Sequence, residues 1–284
     1  MKQIQSVLDI ADDVDGFCID MWGVLWTGTD FYPPVLPTLQ TLKEAGKKIY
    51  ILSNATKTSH QLAEESAAKG LVVGKHYDAF LSSGSVMEME IEKGLFEKLG
   101  GKKDYRFYMI GYKPHTLFTN ILDHMTDDIN QADFVYLGSP SSPHGQALNI
   151  DHLLPDLKKA IQLKLPAILA NPDYNAFHGN IKYCAQGTCG KWYEEHGGKV
   201  MWIGKPYPLI YQYALKMMHL NADTVVMVGD TLRTDIAGGI TAGMKTLLMT
   251  ETGITHSELN GLSVESFCEK EGIIPDYYME RFQA

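Results

Sequence analysis

Short apolar runs alternate with longer amphipathic stretches along this chain, and that alternation predicts most of its elements. Residues 16–20 (GFCID) form an apolar run closed by an aspartate, the pattern of a buried strand. Leu36, Leu39 and Leu42 then recur at helical spacing, which predicts a helix over 35–45, stopped by Gly46 just past its end. Strands are expected again at 48–52 and 78–82, around a helix at 59–69. Toward the other end, 199–202, 224–228 and 245–248 read as strands, with helices at 209–219 and 233–241 between them. The middle continues the alternation, with candidate strands at 105–110, 134–137 and 167–170. The segment SVMEMEIEKGLFEKLGG (85–101) reads as a helix carrying the chain out of a first domain, and GSPSSPHG (138–145) as an exposed, turn-rich loop.

Strands that alternate with helices imply a parallel sheet covered on both faces. In such sheets ligands lie beyond the carboxyl ends of the strands. The expected fold is therefore α/β: a Rossmann-like, doubly wound parallel core made of residues 1–85 and 199–284, interrupted by an inserted α/β domain over 86–198.

Composition narrows the functional classes. At 284 residues the chain has room for two domains, and 45% hydrophobic with 21% charged residues is ordinary for a globular protein. A formal net charge of -9 repels nucleic acid and anionic membranes, so neither is an expected partner. A small anionic ligand stays open, because one metal ion or a few lysines reverse the local field. The four cysteines (Cys18, Cys184, Cys189 and Cys268) are too few for a disulfide framework. Cys184 and Cys189 have no second pair with which to complete a zinc site, and both read as structural. The acidic start MKQIQSVLDIADD lacks the apolar core of a signal peptide, and no run approaches the ~20 residues of a membrane span. The expected compartment is the cytoplasm.

Four strand ends carry polar groups suited to chemistry. Asp20 closes the first strand in FCIDMWGVLW, where an aspartate is either a turn former or a carboxylate facing the ligand crevice. Ser53 and Asn54 follow the second strand in YILSNAT, as a common turn pair or as a hydroxyl and amide aimed at a ligand oxygen. Lys205, in IGKPYP, precedes a proline suited to starting a helix and is otherwise an ordinary surface lysine. In VVMVGDTLRTDIAGG, Asp230 ends the most apolar strand and Asp235 follows on the next turn. Two carboxylates there are costly unless a cation or hydrogen bonds compensate them, and Mg²⁺ needs few protein ligands because it keeps several waters.

Taken together, the order Asp20, Ser53, Lys205, Asp230 with Asp235 resembles the four motifs of the haloacid dehalogenase (HAD) superfamily. The position of the insertion, NPDYNAF at 171–177, GKPYPLIYQYAL and LMTETGIT are similar to its subclass IIA, the group of NagD-type nucleotide phosphatases and p-nitrophenyl phosphatases. The resemblance implies a Mg²⁺-dependent phosphatase acting on a small phosphorylated metabolite through an aspartyl-phosphate. Asp20 would be the nucleophile, Ser53 and Lys205 would act on the phosphoryl group, and Asn54 would sit beside them. Asp20, Asp230 and Asp235 would hold the metal with the backbone carbonyl of Trp22. The inserted domain would be a C2-type cap whose Asn171 and Asp173 contact substrate, and through which subclass IIA members often form homodimers. Tyr174 and Phe177 are either substrate contacts or cap core.

One position departs from the family pattern. Trp22 occupies the place of the second aspartate of the first motif, which in the family protonates the leaving group and then activates water. Indole is a donor only, with no acceptor, and does neither. Asp173 and His178 are the candidate replacements, and the ring itself either packs under the cap or stacks on substrate. Two further readings follow: a slow or non-catalytic phosphate-ligand-binding protein, or another HAD hydrolysis such as dehalogenation. Against the latter stands the Asp230–Asp235 pair, which halide displacement does not need.

Overall fold

The computed structural model describes residues 1–112, 121–141, 147–178 and 181–284. Residues 142–145 of the anticipated turn-rich loop lie outside the described residues. Strands β1 (Lys2–Gln3), β2 (Gly16–Asp20), β3 (Lys48–Ser53) and β4 (Ala79–Ser82) come first. They are followed by β5 (Phe107–Ile110), β6 (Phe134–Leu137), β7 (Ala167–Leu169), β8 (Asn175–His178), β9 (Ile181–Cys184) and β10 (Val200–Trp202). The chain closes with β11 (Val225–Gly229), β12 (Lys245–Met249) and β13 (Tyr277–Met279). It divides into two compact units, one of Met1–Ser53, Ser59–Leu81 and Lys205–Ala284, the other of Asn54–Thr58 and Ser82–Gly204.

The first unit holds a seven-stranded sheet in the order β1-β13-β12-β11-β2-β3-β4. Its pairs β1–β13, β13–β12, β12–β11, β11–β2 and β2–β3 are all parallel. Every residue of β2 and β11 is buried, as continuous apolar runs in the middle of a parallel sheet must be. Successive side chains go to opposite faces. Phe17, Ile19, Val226, Val228, Leu247 and Met249 pack into one core cluster, whereas Leu248 joins Leu232, Ile236 and Phe267 in another. Strand order reverses between β11 and β2, and a crevice opens at the carboxyl ends of strands at such a reversal.

The second unit has its own four-stranded parallel sheet, β10-β7-β6-β5, and an antiparallel hairpin of β8 and β9. Val135, Leu137, Ala167 and Leu169 from the sheet pack with Leu157, Ala160, Cys189 and Tyr193. The last four belong to the helices Leu154–Gln162 and Gln186–Glu195. The overall class is the expected α/β architecture of parallel sheets with helices between strands.

Several elements differ from the reading of the sequence. The strand expected at 199–202 was grouped with the first domain, but β10 pairs with β7 and so belongs to the second sheet. Trp202 anchors it there, closing against Gly190 and donating from Nε1 to Glu194 Oε1 at 3.0 Å. The helix expected over 85–101 is two helices, Ser83–Glu92 and Leu95–Gly100, because Gly94 adopts the left-handed conformation (φ +79°) that glycine alone reaches without cost. The hairpin and β13 were not anticipated. Unlike FVYL and AIL of β6 and β7, the short segments NAFH and IKYC mix polar with apolar residues, so no continuous apolar run marks them.

Candidate active site

Three adjacent strands at the reversal deliver the polar groups. Asp20 is the last residue of β2 and is paired with Leu52 of β3, so Ser53 is one step beyond that pair. On the other side Ile19 pairs with Val228 of β11, which puts Asp230 just past that strand's end. Asp235 returns to the same place by an unusual turn. Residues Leu232–Ile236 form a π-helix, with the Ile236 N–H reaching back five residues to the Thr231 carbonyl at 3.3 Å. Such wide turns are rare and are frequently found at functional sites. The helix expected at 233–241 begins as regular α-helix only at Ala237. The tighter approach is possible because Gly229, at the end of β11, has no side chain where Asp235 lies against it.

The result is a buried charge cluster. Asp20, Asp230 and Asp235 are 7%, 3% and 1% exposed, and each offers an oxygen within 4.8 Å of the others. Lys205, 2% exposed, donates from Nζ to Asp20 Oδ1, to Asp235 Oδ1 at 2.7 Å and to the Leu52 carbonyl at 3.3 Å. Ser53, the residue after Leu52, is buried as well. Burial by itself would lower the lysine's pKa, but Asp20 and Asp235 outweigh it and hold the ammonium charged, above its ordinary range. Asp230 goes the other way. Burial first, then the Asp20 and Asp235 carboxylates, push it well above the usual carboxylate range, against the opposing Ile254 amide and Lys205. Three carboxylates against one ammonium leave an excess of negative charge in a buried place, and that excess fits a divalent cation. Hard oxygen donors are the ligand set Mg²⁺ prefers.

Trp22 lies on the turn that leaves β2. Its neighbours pin the turn: the Trp26 N–H donates to the Met21 carbonyl at 2.9 Å, and the Gly23 N–H to the Trp26 carbonyl at 3.0 Å. Among the described residues no donor is bonded to the Trp22 carbonyl itself. The indole is 47% exposed.

Asn54, Asn171 and Asp173 come together in the second unit. Asn54 Nδ2 donates to Asp173 Oδ1 at 2.9 Å, and Asn171 Oδ1 accepts the Asp173 N–H at 3.0 Å. Ser83 completes the network by donating from Oγ to Asn54 Oδ1 at 3.2 Å. Sequence reasoning missed Ser83. Its only signal was its place just after β4, a strand end like those of Ser53 and Asp20. It also missed Ile254, whose amide reaches Asp230; the stretch LMTETGIT had been noted without a role. Tyr174 is half-buried, with the Lys191 ammonium 5.2 Å from its ring centre. The side chains of Phe177 and His178 lie outside the described part of the structure.

Known proteins resemble the chain over nearly all of its length. A family model described as haloacid dehalogenase-like hydrolase matches residues 17–118, and one described as HAD-hydrolase-like matches residues 202–277. Phosphoglycolate phosphatase 2 of Arabidopsis thaliana is 26% identical, with 95% of this chain and 91% of that protein aligned. The ribonucleotide monophosphatase NagD of Escherichia coli is 27% identical over 81% of this chain and 85% of its own. The crystal structure of a possible sugar phosphatase of the HAD superfamily from Cytophaga hutchinsonii superposes with a TM-score of 0.78 at 25% identity, covering 99% of this chain and 98% of that one.

Proposed function

The chain belongs to the haloacid dehalogenase superfamily of hydrolases, subclass IIA, and from that premise we propose that it is a phosphatase of small phosphorylated metabolites with Asp20 as its nucleophile. The observation that carries this reading is the buried cluster of Asp20, Asp230, Asp235 and Lys205 at the reversal of strand order. An oxygen of Asp20 attacks phosphorus as the bond to the leaving-group oxygen breaks, and that oxygen departs with the electron pair. Water then attacks the aspartyl-phosphate at phosphorus, releasing inorganic phosphate and the free carboxylate. Splitting hydrolysis in two lets one side chain serve both halves.

Phosphoryl transfer is mostly positioning and charge neutralisation. Lys205, already bonded to Asp20, offsets charge on the phosphoryl oxygens. Ser53 hydrogen-bonds the group in transfer. Mg²⁺, held by Asp20, Asp230, Asp235 and the Trp22 carbonyl, would supply Lewis-acid neutralisation of the phosphoryl charge when bound. With Trp22 beside the nucleophile, no acid at that position protonates the leaving group, so esters whose leaving group departs unprotonated are the favoured substrates. Asn54, Asn171 and Asp173 are assigned to the organic part of the substrate. We assign the first unit to the hydrolase core and the second to the inserted cap domain. A homodimer through the cap and a place in the cytoplasm belong to the same proposal.

A panel of phosphorylated metabolites, assayed for phosphate release with and without Mg²⁺, tests the reading. Release that requires Mg²⁺ is expected for at least one ester. Trp22 favours a second reading, a phosphate-ligand-binding protein with little turnover. An aspartyl-phosphate that can be trapped but does not turn over would select it.

A further inference from the structure

Asp230 is gripped by residues 252–255. The Ile254 N–H donates to Asp230 Oδ2 at 2.6 Å, and the Thr255 N–H donates to the main-chain carbonyl of the same aspartate at 3.0 Å. Gly253 (φ +65°) and Gly23 (φ +82°) close on the same oxygen from two sides, and a methyl group at either place would run into it. The other oxygen, Oδ1, has among the described residues only a long contact of 3.4 Å from the Thr231 hydroxyl. Thr252 and Thr255 bracket the grip. Their hydroxyls are buried and have no hydrogen-bond partner among the described residues. A buried unpartnered hydroxyl is costly.

A carboxylate with both oxygens free can close on a cation through two of them. Ca²⁺, which takes about six to eight oxygens in flexible geometry, often uses carboxylates that way. Mg²⁺ is smaller, demands near-octahedral geometry and is served by single oxygens plus waters. Here Oδ2 is committed to an amide and walled by two glycines, so Asp230 has one oxygen to give.

We propose that residues 252–255, with Gly23, are a positioning clamp that makes Asp230 a one-oxygen ligand and biases the acidic cluster toward Mg²⁺ over Ca²⁺. The inference rests on the cation reading above. It goes further, in assigning selectivity to a backbone amide and two glycines outside the ligand set.

Calorimetric titration of the full-length protein with Mg²⁺ and separately with Ca²⁺ tests it, in wild type, Ile254→Val, Ile254→Pro and Gly253→Ala. Ile254→Val keeps the amide and should leave the Mg²⁺-to-Ca²⁺ affinity ratio unchanged. Ile254→Pro removes the N–H, Gly253→Ala pushes a methyl into Oδ2, and each should lower the ratio by about tenfold, the usual scale for losing a partner of a ligating carboxylate. A ratio that stays at the wild-type value in both overturns the clamp. Should neither variant fold, amide exchange and NMR of wild type decide. An Ile254 amide that is protected and shifts when Mg²⁺ is added supports the clamp, and one that exchanges freely overturns it. If wild type binds neither cation, the cation reading falls and takes the clamp with it. Mg²⁺ binding and Mg²⁺-dependent turnover in wild type, with an unaltered ratio in the variants, would remove the clamp alone.

Discussion

The two parallel sheets are built alike and end differently. Both have short, buried apolar strands near their middle, β6 and β7 in one and β2 and β11 in the other. In the four-stranded sheet the order β5, β6, β7, β10 runs in one direction without reversal, and its strands finish on Ile110, Leu137, Leu169 and Trp202. In the seven-stranded sheet the order reverses between β11 and β2, and the strands around the reversal finish on Asp20, on Ser53, and on Gly229 followed by Asp230. The same local code gives an apolar rim in one place and a buried charge cluster in the other. The difference teaches that a strand end becomes a site when topology opens a crevice beyond it. There, groups that would be ruinous elsewhere in a core can be held for a ligand. The polar network of the second unit, Asn54, Ser83, Asn171 and Asp173, is hydrogen-bonded within itself and carries one carboxylate rather than three.

The largest expected effect comes from removing the proposed nucleophile. Asp20→Asn keeps the shape and leaves Lys205 paired with Asp235. Turnover should fall about 10⁴-fold or more, the scale for losing a group that forms the covalent intermediate. The melting temperature should hold or rise, since one of three crowded carboxylates is gone. Phosphate release near the wild-type rate in contaminant-free protein would remove Asp20 from its role.

Asp230 gives a prediction that couples function to pH. Asp230→Asn should lower turnover by about 10²- to 10³-fold and abolish Mg²⁺ binding seen by calorimetry. Its effect on the metal-free fold should be of opposite sign. A carboxylate whose folded pKa is raised contributes stability that is fully present below its ordinary value of 3.8 and is lost as pH rises through the folded value. Metal-free wild type should therefore lose stability relative to Asp230→Asn as pH rises from about 4 toward neutrality. Denaturation midpoints of the two proteins across that range measure it. Parallel curves would mean that Asp230 is not the strained member of the cluster.

Trp22→Asp tests the proposal that no acid beside Asp20 protonates the leaving group. The wild-type enzyme should cleave aryl and acyl phosphates much faster than alkyl phosphates. The variant should raise the alkyl rate by up to ~10²-fold if acid catalysis is recovered. Because the indole is 47% exposed, the substitution opens no large cavity, and its stability cost should stay within about 0.5 kcal/mol. Similar chemical-step rates for aryl and alkyl esters in wild type would show that another group already supplies the proton.

How much of this was legible in the sequence divides along the same lines as the sheets. β2 and β11 could be read almost to the residue, because a buried central strand is a continuous apolar run and its polar end stands out. That made Asp20 and Asp230 visible as strand-terminal carboxylates. Lys205 was visible by its motif alone, since nothing in IGKPYP says that the lysine is buried. The π-turn that brings Asp235 back was hidden, as was the clamp on Asp230. Both depend on main-chain amides and on glycines whose backbone angles carry no pattern in composition. In the second unit β10 was misplaced because three residues of strand look the same whichever sheet they join. Its pairing with β7 and the packing of Trp202 on Gly190 decide it.

The smallest expected effect tests whether the acidic cluster is complete without the second unit's polar network. Asp173→Ala removes the acceptor of the Asn54 amide, a hydrogen bond of 2.9 Å, and leaves untouched every carboxylate of the cluster. Stability should fall by about 0.5–1.5 kcal/mol, and KM for a good substrate should rise about two- to tenfold, with Mg²⁺ affinity unchanged. Asp173→Asn separates the two jobs the side chain can do. It can still accept from Asn54 through Oδ1, so it should recover the lost stability. If KM nevertheless stays raised, the charge of Asp173 acts on the substrate; if KM recovers with stability, Asp173 serves only to hold Asn54 and its loop. A fall in Mg²⁺ affinity in either variant would break the comparison itself, because the charge cluster would then depend on a group outside the sheet that builds it.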